Sequence, residues 1–251
     1  MQIRVAFLPE CAGEVSEAVC IVVDALRATT VIATLFARGC PRVYVAASHE
    51  AARQFARARG VLLCGETGGL KVPDFDHGNS PVEFAALDFT GKPVTLSTTN
   101  GTKALAVVSG ARQALIGAAV NRLAVAQAAW EAARETGSDI CIVCAGTEKA
   151  FTLEDATVAG ILVEAIAARA GAWEMPEQAD SAVAARRLWQ SEPNLLRGWM
   201  ECRHALKLAD SGLGDDLAYC AALDTVPIAP VLVTENEAGS VSAPVLLVPE
   251  N

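Results

Sequence analysis

Along this chain, short β-branched apolar runs alternate with longer stretches of helical period, and the handover between them is repeatedly polar. Cys20-Ile21-Val22-Val23 predicts a strand, Asp24 to Thr30 a polar junction, and Val31 to Arg38 a helix stopped at Gly39. Arg42 to Ala46 is again strand-like, His49 to Arg59 helix-like, and Val61 to Cys64 a further apolar run. The succession then recurs. Lys92 to Leu96 predicts a strand, Ser97 to Thr102 a polar junction and Lys103 to Val108 a helix; strands at Arg112 to Ile116 and Ile140 to Cys144 flank a helix over Arg122 to Glu135. The pattern predicts one domain of α/β class, three-layer α/β/α on a mostly parallel or mixed sheet. Its two similar β-α-β-α-β halves span about 18–64 and 92–144, and a helical C-terminal part spans about 152–211.

In such sheets ligands bind beyond the carboxyl ends of the strands, where these junctions fall. Ser97-Thr98-Thr99-Asn100-Gly101-Thr102 sets four hydroxyls, an amide and a glycine at one of them. A helix start leaves backbone N–H groups unpaired and carries about half a positive charge, which suits phosphate or sulfonate oxygens. The same residue types also serve as ordinary caps and turns. In the other junction, Asp24 ends the strand, where a carboxylate can hold a divalent cation or merely cap. Arg27 can grip an oxyanion through two parallel bonds, and Thr29 and Thr30 sit at the helix start.

Gly65 to Glu83 follows no regular period and reads as a long loop, of the kind that tends to carry function. Glu66 should project at the same sheet edge as Asp24, and Asn79-Ser80-Pro81 resembles a helix start with further donors. After Cys144, a helix is expected over Ala156 to Ala170, preceded by Glu154 and Asp155. These two acids suit a first turn in any case. If they face the strand edge, they complete an oxygen-rich cage with Asp24 and Glu66 that favours Mg²⁺ over softer metals.

The chain has 251 residues and a net charge of −9, with its few Lys and Arg scattered, so no nucleic-acid partner is expected. An anionic substrate then needs local help from Arg27, Lys71, Lys103 or a metal. Hydrophobic residues make up 52%, yet no apolar window approaches the ~18 residues of a membrane span, so no membrane partner is expected. Met1 to Phe7, broken by Pro9-Glu10, does not form a secretory signal, and a cytoplasmic location follows as an expectation. The eight cysteines, with one C-x-x-C inside an apolar strand pattern, read as buried free thiols. Arg203-His204-Ala205 reads as helix surface. Gly171 to Leu208, with three of the four Trp, reads as amphipathic helices that pack or mediate self-association in a homo-oligomer such as a dimer.

Several phosphate chemistries are excluded. The second aspartate of haloacid-dehalogenase phosphatases is missing after Asp24, no Cys has an Arg six positions on, and Gly101-Thr102-Lys103 lacks the upstream glycine of a P-loop. Taken in order, Asp24-Ala25-Leu26-Arg27-Ala28-Thr29-Thr30, Gly65-Glu66 with Gly68-Gly69, and Phe75-Asp76 followed by Gly78-Asn79-Ser80-Pro81 and Glu83 form the first part of a recognisable series. Ser97 to Thr102, Cys144-Ala145-Gly146 with Glu154-Asp155, and a weaker closing set at Asp216, Tyr219-Cys220, Asp224 and Val226-Pro227 complete it. From about Val5 to Val233 this series resembles the 2-phosphosulfolactate phosphatase (ComB) family.

The resemblance implies a Mg²⁺-dependent acid phosphatase that converts 2-phospho-3-sulfolactate to 3-sulfolactate and phosphate, in the coenzyme M branch where that pathway exists. Three departures concern substrate identity: Thr67 replaces a usual arginine, His77 a usual apolar residue, and Thr147-Glu148-Lys149-Ala150 lacks an expected glycine. On this reading Asp24, Glu66, Glu154 and Asp155 hold Mg²⁺. A small anionic phosphoester is cradled by Arg27, Thr29, Thr30, Lys71, Asn79, Ser80, Ser97, Thr98, Thr99, Asn100, Gly101 and Thr102, and Asp76 is the general acid. A non-catalytic binder of phosphorylated or sulfonated metabolites, or an isomerase or lyase on a phosphorylated hydroxy acid, uses the same donors.

Overall fold

A computed structural model of the chain describes residues 1–170, 174–234 and 244–247. The strands are β1 (Gln2–Ala6), β2 (Val19–Val23), β3 (Val43–Val45), β4 (Leu62–Thr67), β5 (Leu70–Lys71), β6 (Val94–Ser97), β7 (Gln113–Gly117), β8 (Ile140–Cys144), β9 (Glu177–Gln178), β10 (Val231–Thr234) and β11 (Pro244–Leu247). The helices are α1 (Ala28–Ala37), α2 (His49–Arg59), α3 (Pro81–Ala85), α4 (Gly101–Val107), α5 (Arg122–Thr136), α6 (Leu153–Ala170), α7 (Asp180–Ser191), α8 (Leu195–Trp199), α9 (Arg203–Asp210) and α10 (Gly214–Ala221).

All the strands join one sheet in the order β5-β4-β6-β3-β11-β10-β7-β2-β8-β1-β9. Pairing is parallel through β4-β6-β3 and through β7-β2-β8-β1-β9, and the antiparallel hairpin β10-β11 bridges the two blocks. The sheet is therefore mixed, as the strand pattern predicts. The first strand of each sequence half lies between the second and third strands of the other: β6 between β4 and β3, and β2 between β7 and β8. The halves are interlocked rather than side by side.

Both faces of the sheet are covered, which explains why its strands read as continuous apolar runs instead of alternating. Val19, Ile21, Val23, Leu115, Ile140 and Ile142 pack with α5, α6 and the C-terminal helices on one face. Their neighbours Cys20, Val22, Ala114, Ile116, Cys141 and Val143 pack with α1 and α4 on the other. Helix α1 is buried from Ala28 to Phe36, so its Val31, Ile32, Leu35 and Phe36 form a central element rather than an amphipathic cover. No described helix is long and apolar enough to cross a membrane.

Several expectations are corrected. The segment Gly65 to Glu83 is not one irregular loop: β4 runs on to Thr67, turns at Gly68-Gly69 into β5, and α3 begins at Pro81 behind a Ser80 cap. Helix α6 begins at Leu153, so Glu154 and Asp155 are its first-turn residues. β1, β10 and β11 lie outside the predicted elements. Cys11 is exposed, whereas the other seven cysteines are buried, and all eight are free thiols. The C-terminal helices pack on the body, with Trp189 and Trp199 in its main core; Gly171, Ala172 and Trp173 lie outside the described residues.

Helices α6 and α7 cross closely at Gly160. A Cβ there would overlap the backbone oxygen of Ala185 and stand 3.0 Å from the Trp189 Cβ. Backbone cannot yield as a side-chain tip does, so overpacking of about 1–3 kcal/mol is expected for Gly160→Ala. Thermal unfolding should show a melting temperature several degrees lower than in the unaltered protein; an unchanged value would contradict this crossing.

Candidate active site

The junctions after β2, β4, β6 and β8 converge on one cavity of about 620 Å³. Asp24, Arg27, Glu66, Asn79, Thr98, Thr99, Asn100 and Glu154 all line it. Interlocking of the strands explains the convergence: Gly101, at the start of α4, lies so close to the β2 junction that a Cβ would sit 3.0 Å from Asp24 Oδ2 and from the Ala28 Cβ. Glycine leaves that oxygen its space.

The acids are held by backbone donors. Glu66 Oε2 accepts from Gly69 N at 2.7 Å and its Oε1 accepts from Thr99 N at 2.8 Å, so one carboxylate fixes the turn after β4 and the loop after β6. Asp24 Oδ1 accepts from Ala28 N at 3.3 Å, while Thr29 Oγ1 donates back to the Asp24 carbonyl at 2.9 Å. Asp155 does not line the cavity. Its Oδ1 accepts from Ala25 N at 2.8 Å and its Oδ2 from Gly146 N at 2.9 Å, which clamps the ends of β2 and β8 together.

Burial, with Glu66 and Glu154 nearby, raises the Asp24 carboxyl to about 6, against the lowering influence of His204 and the Ala28 N–H. Asp155 is likewise raised, by burial and then by Asp24 and Glu154. His204 shows the complementary effect. Burial opposes its charge, but its hydrogen bond to Glu154 and the neighbouring carboxylates outweigh burial and raise its pKa.

His204 corrects the sequence reading, which placed it on the surface. Its Nδ1 lies 3.2 Å from Glu154 Oε1, and it lines the cavity together with Arg203, Lys207 and Leu208 of α9. The C-terminal helices thus supply a wall of the site as well as packing. No polar strand-to-helix junction marks α9, so the signal used elsewhere in the chain is missing there.

Other predicted residues have polar groups engaged by the protein itself. Arg27 lines it but donates to Asp216 Oδ2 and to the Gly69 carbonyl, with Ser80 Oγ donating to Asp216 Oδ1 at 2.6 Å. Thr30 Oγ1 is 3.4 Å from the Ala25 carbonyl, Thr102 Oγ1 donates to the Thr98 carbonyl at 2.6 Å, and Ser97 Oγ pairs with His49 Nδ1 at 3.1 Å. Lys71 Nζ donates to the Asp76 carbonyl, and Asp76 Oδ2 accepts from Leu63 N at 2.8 Å; neither residue reaches the cavity wall. Thr67, where an arginine was expected, has its hydroxyl 2.7 Å from His49 Nε2.

Two features point to a ligand. Asn79 Oδ1 is buried and has no hydrogen-bond partner, although its residue lines the cavity. Across the cavity, Thr147 to Ala150 makes a tight turn in which Glu148 and Lys149 both adopt left-handed backbone, at φ 53° and 64°. That conformation favours glycine or asparagine, and it is where the expected glycine is absent. Among the described residues, no group of three or more His, Cys, Asp or Glu is disposed to hold a metal by itself.

Against known proteins, a model of the family described as 2-phosphosulpholactate phosphatase matches residues 7–235. The chain is 36% identical over 234 residues to a protein of Carboxydothermus hydrogenoformans, 92% of each chain being covered. It is 38% identical to one of Gloeobacter violaceus, covering 92% of this chain and 94% of the relative. With one of Deinococcus radiodurans the identity is 37%, covering 94% and 95%. Each of the three carries the name probable 2-phosphosulfolactate phosphatase.

A carboxyl that ionises near 6 in the fold, against about 3.8 without it, stabilises the fold fully only below pH ~4 and loses that contribution as pH rises through 6. Asp24→Asn keeps the shape without the charge. In EDTA at pH 7.5 it should therefore stabilise the fold by on the order of 1–3 kcal/mol, read as a higher melting temperature than in the unaltered protein, and the gain should shrink by pH 4.5. Equal melting temperatures at both pH values would show that Asp24 is not under this stress.

Proposed function

Because this chain belongs to the 2-phosphosulpholactate phosphatase family, we propose that it is a Mg²⁺-dependent phosphoric monoester hydrolase acting on a small anionic hydroxy-acid phosphoester. The substrate that the relatives' names favour is 2-phospho-3-sulfolactate, split to 3-sulfolactate and inorganic phosphate. The observation that carries this reading is the convergence of Asp24, Glu66 and Glu154 with the Thr98-Thr99-Asn100 loop on one cavity.

The donor set suits Mg²⁺. It is made of hard carboxylate oxygens, the unpartnered Asn79 Oδ1 adds a neutral oxygen, and the Arg27 guanidinium that lines the cavity is paired with Asp216. The four-carboxylate cage expected from the sequence does not form among the described residues, because Asp155 is turned to Ala25 N and Gly146 N; Mg²⁺ is commonly held by one or two carboxylates, with water and substrate phosphate completing its shell. Asp24 would hold it with Glu66 or Glu154. Bound there, the ion would polarise the phosphoryl group and offset its charge.

The chain's own groups do the rest. Thr98, Thr99 and Asn100 present hydroxyls and an amide to the phosphoryl oxygens, on a loop whose position Glu66 fixes through Thr99 N. Arg27, braced by Asp216 and the Gly69 carbonyl, keeps further N–H donors for an oxyanion without needing to move. His204 holds Glu154 in a fixed orientation, and Asp155 holds the two strand ends that carry Asp24 and Gly146.

Phosphate release from 2-phosphosulfolactate and a panel of other phosphoesters, with Mg²⁺ and with EDTA, tests the reading. EDTA should stop turnover, and Asp24→Asn should lower kcat about a hundredfold or more at unchanged circular dichroism. Wild-type turnover in that variant refutes the metal assignment; absence of phosphate release from every ester refutes the hydrolase reading.

A further inference from the structure

The cavity has two unlike walls. One carries Asp24, Glu66 and Glu154; the other, which meets it where His204 touches Glu154, is α9 with Arg203, His204, Lys207 and Leu208, whose spacing of one and four residues puts them on adjoining turns of one helix face. We propose that Arg203 and Lys207 receive the second acid group of the substrate, a sulfonate or carboxylate, and so determine selectivity for phosphoesters that carry a further strong acid. This rests on the hydrolase reading above.

An exposed Arg and Lys on a helix are ordinarily solvated surface charges, and three observations set this pair apart. First, both line the cavity, although they lie in the part of the chain most remote from the strand-end motifs. Second, the other cations near the acids already have protein partners, and Lys103, whose side chain has none among the described residues, does not line the cavity. Arg27 is paired with Asp216, His204 with Glu154, and Lys71 with the Asp76 carbonyl outside the cavity, while Thr67 stands where an arginine was expected. The Arg203 and Lys207 side chains have no ion pair or hydrogen-bond partner among the described residues, although Glu148 and Glu201 also line the cavity. Third, α9 is anchored, with Ala205 and Leu208 buried in the main core and Cys202 buried just before the helix, so the two cations are carried on a fixed support.

The charges demand such a pair. With the chain at −9 and the other wall acidic, a ligand bearing phosphate plus a second anion is repelled unless cations meet the second group. A guanidinium offers two parallel N–H donors to a planar carboxylate or to two sulfonate oxygens, and an ammonium adds a point charge. At about 620 Å³ the cavity has room for both ends of such a molecule.

Arg203→Gln, Lys207→Gln and the double variant test this, because both side chains are exposed and their loss leaves the core intact. With saturating Mg²⁺, kcat/KM for 2-phosphosulfolactate divided by that for phenyl phosphate, which has no second acid, should fall about tenfold in each single variant and further in the double, chiefly through KM. An unchanged ratio overturns the proposal. Calorimetric binding of 3-sulfolactate, which has no phosphoester, is read independently. Affinity about tenfold weaker in the variants supports the role of α9 even if no ester is hydrolysed and the hydrolase reading fails. Equal affinity in all the proteins overturns it.

Discussion

Burial of like charges at one end of the sheet is the constraint on which this structure turns. Asp24, Glu154 and Asp155 are each less than a tenth exposed, and Glu66 is equally enclosed. Removing a carboxylate from water costs several kcal/mol unless donors replace the lost solvation. Backbone N–H groups of the surrounding loops supply them: Ala28 for Asp24, Gly69 and Thr99 for Glu66, Ala25 and Gly146 for Asp155. Loops that reach out to satisfy an acid are held by it in return. The shape of the cavity is thus set by the groups that make it costly to form, and a bound cation would relieve the repulsion that remains.

The strand ends were legible in the sequence because their signal is local. Asp24, Glu66, Asn100 and Glu154 each stand at or near an apolar run whose end the pattern fixes, and in a parallel sheet those ends share one edge. Hydroxyl roles were less legible, for a physical reason. Whether Ser80 faces a ligand or Asp216, or Ser97 a ligand or His49, is decided by residues far away in the chain. Lys71 and Asp76 were placed near the chemistry by their loop, yet the turn into β5 leaves both beyond the cavity wall. His204 was illegible for the opposite reason: α9 reads as an ordinary amphipathic helix, and only the packing of Ala205, Leu208 and Trp199 into the core brings its polar face to the site.

Acids and cations reach the cavity on different elements, and His204 of α9 meets Glu154 directly. Arg27, three residues after Asp24 in sequence, is paired with Asp216, which also receives Ser80; the three residues together tie α1, α3 and α10. Such a buried pair contributes fixed geometry more than net stability. The Arg203 and Lys207 side chains stay without a partner among the described residues, although Glu148 and Glu201 line the same cavity. The left-handed backbone at Glu148 and Lys149 fits the same picture, since local strain of this kind persists only where surrounding contacts over-determine it and clusters at functional sites.

The interlocked strand order explains why such a site is possible in an α/β sheet this broad. Side by side, two β-α-β-α-β units would put their polar junctions at separate places along the edge. Here β6 lies within the first block and β2 within the second, while the hairpin β10-β11 joins the blocks. The Asp24 junction and the Gly101 junction then meet in van der Waals contact. Neither sequence half contains the cavity by itself, because Asp24 and Glu66 come from the first and Thr98 to Asn100 and the β8 end from the second. Chemistry at this edge is therefore a property of the completed sheet, and its donors are in place before any ligand arrives, as electrostatic preorganisation requires.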